Sequence, residues 1–263
     1  MSKIAVLGPE YSYSHLLFLK IFKEGELVLS NRIEEVFKQV VEKKVEKGII
    51  PLENMLQGSV RESILGLLKY RVKINKVYTL PIHHCIAGKS EKYSKIASHQ
   101  QALLQCSKFI TDKETLDCSS TSKAMEIATQ DVAVAALGSK EAALFYGLQI
   151  LQENIEDHPL NSTRFAVISL RETAVEKNAR TSILLMPQKD RPGLLFSILA
   201  PFASQNINLL KIESLPSGKK MGEYVFYLEI EGNQDHQPIR SALSSLNKSV
   251  EVCLLGSYLE VTL

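Results

Sequence analysis

The stretch "NSTRFAVISL", Asn161 to Leu170, reads as a buried strand from Phe165 onward, yet it opens with Ser162, Thr163 and Arg164. Two hydroxyls and a guanidinium at the lip of an apolar strand are either a cap or the edge of an anion site. Upstream of it, "KIAVLG" from Lys3 is a buried first strand and "SHLLFLKIF" from Ser14 a helix packed on it. Ile33, Val36, Phe37, Val40 and Val41 form the apolar stripe of a second helix. "GIIPLEN" is a short strand that Pro51 is expected to end, "GSVRESILGLLKY" a third helix, and "VKINKVYTLPIHHCIAG" an extended crossing into a second lobe.

That lobe alternates "KIASH", "QALLQCSKFI", "ETLDCS", "TSKAMEIATQ", "VAVAAL", "SKEAALFYGL" and "QILQENI" as strands and helices, the mark of βαβ units and a mainly parallel sheet. "RETAVEKNAR", 171–180, is polar and without apolar period, which predicts a linker. The remainder, 181–263, reads strand, helix, strand, strand, helix, strand, a ferredoxin-like βαββαβ unit.

The 263 residues suffice for more than one core, and 45% hydrophobic with 23% charged residues is the balance of a globular protein. A net charge of +2 argues against a broad nucleic-acid surface. No apolar run approaches a membrane span, and the start lacks the apolar core of a signal peptide, so a cytoplasmic protein is expected. Cys85, Cys106, Cys118 and Cys253 form no C-x-x-C pair and read as buried free thiols.

Polar clusters recur at strand ends: "GPEYSYSH", "PLENMLQGSV", "SHQQALLQC", "SSTS" and "NSTRF". Hydroxyls, amides and helix N-terminal N–H groups gathered there suit a carboxylate-bearing ligand, although each cluster alone reads as helix capping. No carboxyl dyad is evident, since Glu53 and Glu10 each stand alone. Adjacent His83 and His84 point to opposite faces of a strand with no further ligand at metal spacing, so no metal is expected. Cys106 with His99 lacks an orienting third group, and without a phosphate loop or G-x-G-x-x-G no cofactor is expected.

In order and spacing, "GIIPLEN" with "QGSV", "HQQALLQC", "STSKAM", "VAALGSKEAALFYGLQIL", "ENIEDHPLNSTRF" and "NINLLKIES" resemble the prephenate dehydratase family from Ile4 to the C-terminus. The resemblance implies an α/β catalytic part at 1–170, folded like type II periplasmic binding proteins: lobe one at about 1–78 and 163–170, lobe two at about 79–160. It also implies a regulatory ACT domain at 181–263. With the catalytic part starting at Lys3, no chorismate mutase segment is expected before it. Prephenate would lose water and carbon dioxide to give phenylpyruvate in the interlobe cleft.

By the same resemblance Thr163 is the proton donor to the leaving hydroxyl, with Arg164 as carboxylate fork and Phe165 as wall of the ring. In a regular strand, however, Arg164 points away from Thr163 and Phe165, so it either holds substrate or braces the cleft against a carboxylate such as Glu53. Substrate contacts are expected from Asn54, Glu53, Ser12, Ser14, Gln101, Ser119, Ser120 and Thr121. Phenylalanine is the implied effector, bound by Gly193, Leu194, Leu195, Asn208, Glu213 and Ser214 between paired domains of a homodimer or homotetramer.

The chain departs from the family pattern at three places. Tyr11 stands at a glycine position of the first loop, Met55 removes a hydroxyl from E-N-S, and Leu215 replaces the arginine of E-S-R-P. Tyr11 is expected to alter the loop or shrink the pocket, and Leu215 to weaken control by phenylalanine. Arogenate dehydratase, or a non-catalytic sensor of amino acids or carboxylates, are the alternative readings.

Overall fold

The computed structural model describes residues 2–175, 177–218, 223–246 and 250–263. Lobe one comprises β1 (Lys3–Leu7), α1 (Tyr13–Ile21), β2 (Glu26–Ser30), α2 (Ile33–Val41), β3 (Lys47–Asn54), β4 (Gly58–Ser59), α3 (Arg61–Tyr70) and β5 (Lys73–Pro81). The chain leaves this sheet only after Pro81, so the crossing lies at 82–84 rather than near 78. Lobe two follows with β6 (Cys85–Gly88), β7 (Lys95–Ser98), α4 (Gln100–Gln105), β8 (Glu114–Asp117), α5 (Thr121–Ala128), β9 (Val134–Gly138), α6 (Lys140–Phe145) and β10 (Gln149–Glu153). Its sheet runs β10-β6-β9-β7-β8, with β7 parallel to β8 and β9.

The return strand β11 (Ser162–Ser169) inserts between β3 and β5, antiparallel to both. Its side chains alternate as a strand requires. Phe165 and Val167 join Ile4, Val6, Leu17 and Phe18 under α1, while Ala166 and Ile168 join Phe37, Val40, Ile64 and Leu67 beneath α2 and α3. Pro51 does not end β3. It sits inside the strand where the β11 register skips a residue between Arg164 and Phe165, and a bulge tolerates the missing N–H.

The C-terminal unit is β12 (Arg180–Pro187), α7 (Leu194–Ser204), β13 (Leu209–Pro216), β14 (Tyr224–Glu231), α8 (Gln237–Leu246) and β15 (Val250–Thr262). Glu176 of the expected linker and Asn247 at the end of the expected last helix lie outside the described residues. Ile183, Leu185, Ile198, Phe202, Leu228 and Ile239 pack between this sheet and its helices. The opposite face, with Leu184, Leu215, Tyr227 and Leu255, shares a core with Phe37, Ile64 and Leu67 of lobe one.

The two units also share one sheet. β15 pairs with β12 through Tyr258, then Leu259–Thr262 run parallel to β5, giving the order β13-β14-β12-β15-β5-β11-β3-β1-β2. Gly256 makes the transfer possible. Its φ of 124° suits glycine, and a Cβ there would stand 2.7 Å from the Ile74 carbonyl oxygen.

Candidate active site in the interlobe cleft

Thr163 and Asn54 are cross-strand partners at the cleft end of β11 and β3. The Asn54 amide donates to Thr163 Oγ1 at 2.9 Å and to Asn161 Oδ1 at 3.1 Å, and its own Oδ1 accepts from the N–H groups of Leu56 and Gln57. Asn54 is thus fixed from both ends. Because Oγ1 already accepts one bond, the Thr163 proton is left to point at whatever occupies the cleft.

That cleft is a cavity of about 200 Å³ lined by Ser12, Tyr13, Asn54 and Thr163 from lobe one and by Gln101, Gln105, Ser119, Ser120 and Thr121 from lobe two, with His84 and His99. Local capping explains the lobe-two side. Ser120 accepts from the Lys123 N–H at the start of α5, and His99 Nδ1 accepts from the Gln101 N–H at the start of α4. Ser12 likewise caps α1, accepting from the His15 N–H while donating to the Leu7 carbonyl.

Tyr13, His84, His99 and Gln105 were not among the expected contacts, although His99 and Gln105 lie inside "HQQALLQC". Tyr13 donates to the His83 carbonyl at 2.7 Å, and His84 Nε2 lies 2.9 Å from Gln105 Oε1. Burial pushes the Tyr13 phenol well above its ordinary value and the His84 imidazole below its own, so both are neutral near pH 7. The lining contains no lysine, arginine, aspartate or glutamate. An anion held here meets hydroxyls, amides and helix N–H groups rather than a cation.

Arg164 faces the other way, and the substrate-fork reading is corrected by its partners. Nε and Nη2 reach Glu260, Nη1 and Nη2 reach Glu229, and Nη1 also reaches Glu53, at 2.8–3.1 Å. Glu53 is spent on Arg164 and Lys211 and does not line the cavity. Burial pushes its carboxyl up, but the hydrogen bonds from Lys211 and Arg164 outweigh this and hold it below the usual range. Phe165, 2% exposed, belongs to the core under α1, and Ser14 is buried within α1. Neither lines the cavity, Phe165 because the strand face it occupies packs on Ile4, Val6, Leu17 and Phe18 of β1 and α1.

Tyr11 bridges the lobes. Its ring stacks on Phe145 at the end of α6, 4.1 Å between centroids, while its backbone takes a left-handed φ of 58°. The Tyr11 N–H donates to His15 Nδ1 at 2.8 Å, which requires a neutral imidazole. A coupling of about 0.5–1.5 kcal/mol is expected between Tyr11→Ala and Phe145→Ala in a double-mutant cycle on thermal stability. Additive losses would deny the clasp.

Acid should loosen the same region. Burial lowers both His15 and His84 from 6.5. The unfolded chain therefore binds more protons below that value, and stability rises with pH through this window. Melting temperature is expected to fall between pH 7 and 5.5, and less steeply in His84→Gln.

In the C-terminal unit Gly193 opens α7 with φ 74° and open space around it, followed by half-buried Leu194 and exposed Leu195. Asn208 is exposed and donates to Glu231 at 3.3 Å. Glu213 departs from the expected effector set. It bonds Ser59 of lobe one, because alternation on β13 turns Lys211, Glu213 and Leu215 inward and Ser214 outward.

Fold and site define a two-lobed α/β cleft protein with a fused βαββαβ unit, built to hold an anionic small molecule beside a hydroxyl. Residues 4–173 match the prephenate dehydratase family and 182–247 the ACT domain. A prephenate dehydratase of Methanocaldococcus jannaschii is 38% identical over 237 residues, covering 87% of this chain and 86% of that protein. The crystal structure of the Staphylococcus aureus prephenate dehydratase superposes with TM-score 0.86 at 26% identity, covering 98% of this chain and all of that one. An Arthrobacter aurescens prephenate dehydratase in complex with L-Phe has the same fold, with TM-score 0.87 at 23% identity over 98% of this chain and 90% of that one. The chain belongs to the prephenate dehydratase family.

Proposed function

We propose that this protein converts prephenate to phenylpyruvate with loss of water and carbon dioxide, as a step of phenylalanine biosynthesis under feedback by phenylalanine. The observation that carries the reading is the Asn54 amide bonded to Thr163 Oγ1, which aims the Thr163 proton into a cavity of neutral donors. Thr163 gives that proton to the ring hydroxyl as its carbon–oxygen bond breaks. The bond to the ring carboxylate breaks with it, and its electron pair completes the aromatic ring. Water and carbon dioxide depart, solvent returns a proton to Thr163, and one proton is consumed overall. Ser119, Ser120, Thr121 and Gln101 hold the carboxylates at the start of α5 and α4. Arg164 takes no part in that hold and acts from behind.

The absence of a lining carboxylate favours the keto acid over arogenate, whose ammonium would lack a partner here. A sensor would have no use for a hydroxyl oriented as an acid. In this reading phenylalanine binds at Gly193, Leu194, Leu195 and Asn208 and a second chain completes the site, which the exposure of Leu210 and Ile212 on β13 supports. Leu215 is buried in the core shared with lobe one, so it does not face the effector. No helix among the described residues is long and apolar enough to cross a membrane, and the cysteines are free and buried, which supports a reducing cytoplasm.

The purified protein should form phenylpyruvate from prephenate without added metal or cofactor, faster than it uses arogenate. Phenylalanine at a hundredfold over its Kd should slow this and stabilise the fold by about 2.7 kcal/mol. Binding without turnover of either substrate would refute the catalytic reading, and a phenylalanine-insensitive rate and melting temperature the regulatory one.

A further inference from the structure

We propose that Glu229, contributed by β14 of the ACT domain, is a positioning residue for the dehydration. It grips Arg164 and so fixes the neighbouring Thr163. The inference rests on the reading of Thr163 as the acid. Thr163 with Asn54 and Arg164 with Glu53 are consecutive rungs of the β11–β3 ladder, and the register breaks at the next residue. The cleft end of the ladder is therefore cut off by a bulge from the regular pairing that holds Ala166, Val167 and Ile168. On its other side β11 stays in register with β5 from Ser162 to Val167, and what ties this end to β3 beyond the bulge is the guanidinium on its rear face.

All five N–H groups of Arg164 are engaged by Glu53, Glu229 and Glu260. Glu53 is on the ladder itself, whereas Glu229 offers two oxygens from a strand of the other domain, its side chain 2% exposed. Glu229 is in turn aimed by the Tyr227 hydroxyl at 2.6 Å, and Tyr227 and Tyr258 meet at Ser182 Oγ. Lys211 on Glu53 and Arg180 on Glu260 balance the three carboxylates. A bidentate, buried and balanced pair tolerates little displacement, which is what an acid requires if it is to meet a leaving hydroxyl within hydrogen-bond distance. Asn208, which precedes β13, bonds Glu231 two residues along β14 from Glu229, so the effector end of the sheet and the acid are joined through Glu229.

Glu229→Gln keeps the shape and removes the charge. The folded variant, assayed well below its melting temperature, should lose roughly ten- to hundredfold in kcat with KM within about threefold. A purely structural role would lower the melting temperature and leave kcat per folded molecule unchanged. In a Thr163→Ala background the same substitution should cost no further kcat, since it acts through the hydroxyl already removed. Tyr227→Phe, which keeps the charge but frees Glu229, should cost several-fold in kcat and decides the matter if Glu229→Gln does not fold. Unchanged kcat in either folded variant, or an additive loss with Thr163→Ala, overturns the proposal. A fully active Thr163→Ala protein removes the acid itself, and with it the proposal, whatever Glu229→Gln shows.

Discussion

Thr163→Ala is expected to fold normally and to lose roughly 10²–10⁴-fold in kcat on prephenate, the span typical for removing a positioned proton donor. Folding should survive because Asn54 keeps its bonds to Asn161 and to the Ser162 carbonyl, and because Thr163 is only half-buried. KM should change little, since the proposed carboxylate contacts come from lobe two. Thr163→Ser, which keeps the hydroxyl and loses a methyl group, should stay within about tenfold of the parent in kcat if Asn54 still sets the proton's direction. Single-turnover formation of phenylpyruvate separates this from an effect on product release. Wild-type turnover in folded Thr163→Ala would assign the acid elsewhere in the cleft, where Tyr13, the histidines and the other hydroxyls carry protons.

Arg164→Met should cost a large part of the stability of the chain. The side chain is 14% exposed and sits among Glu53, Glu229 and Glu260, so its removal leaves three carboxylates facing one another with Lys211 and Arg180 as the remaining cations. Breaking a buried pair from one side costs about 3–5 kcal/mol. Salt gives a second check, because in the variant the carboxylates repel one another through a field that mobile ions screen in part. Denaturant midpoints at low and high salt should show a smaller loss relative to the parent at high salt. Equal losses at both would mean that the three carboxylates do not share one field.

How far the sequence reached is clearest in β11. Alternation along "NSTRFAVISL" placed Thr163 and Arg164 on opposite faces and left the guanidinium to either the substrate or a carboxylate such as Glu53, because side-chain period is a local property of the chain. The same local rule did not reveal that Phe165 lies under α1 rather than beside the cleft, since which face meets a cavity depends on where helices from elsewhere pack. Glu229 and Glu260 were invisible for a similar reason. They lie 65 and 96 residues from Arg164, on strands read as part of a separate unit. Tyr13 carried no signal beyond membership of a stretch already marked as polar, and His84 was read only as one of two strand histidines without a metal.

By itself the sequence determined most of the elements, though not β2 or β4, the βαββαβ order of the C-terminal unit and the cluster of hydroxyls and amides from which the cleft is built. These follow from hydrophobic period, turn residues and capping, which act over a few positions. Only the tertiary structure decided that the two units share a sheet through β15 and that Arg164 looks into the ACT domain instead of the substrate. Strand pairing between distant segments and the desolvation of charges are set by the packed whole. In this chain the positive φ of Gly256 within β15 and one buried guanidinium are where that packing is fixed.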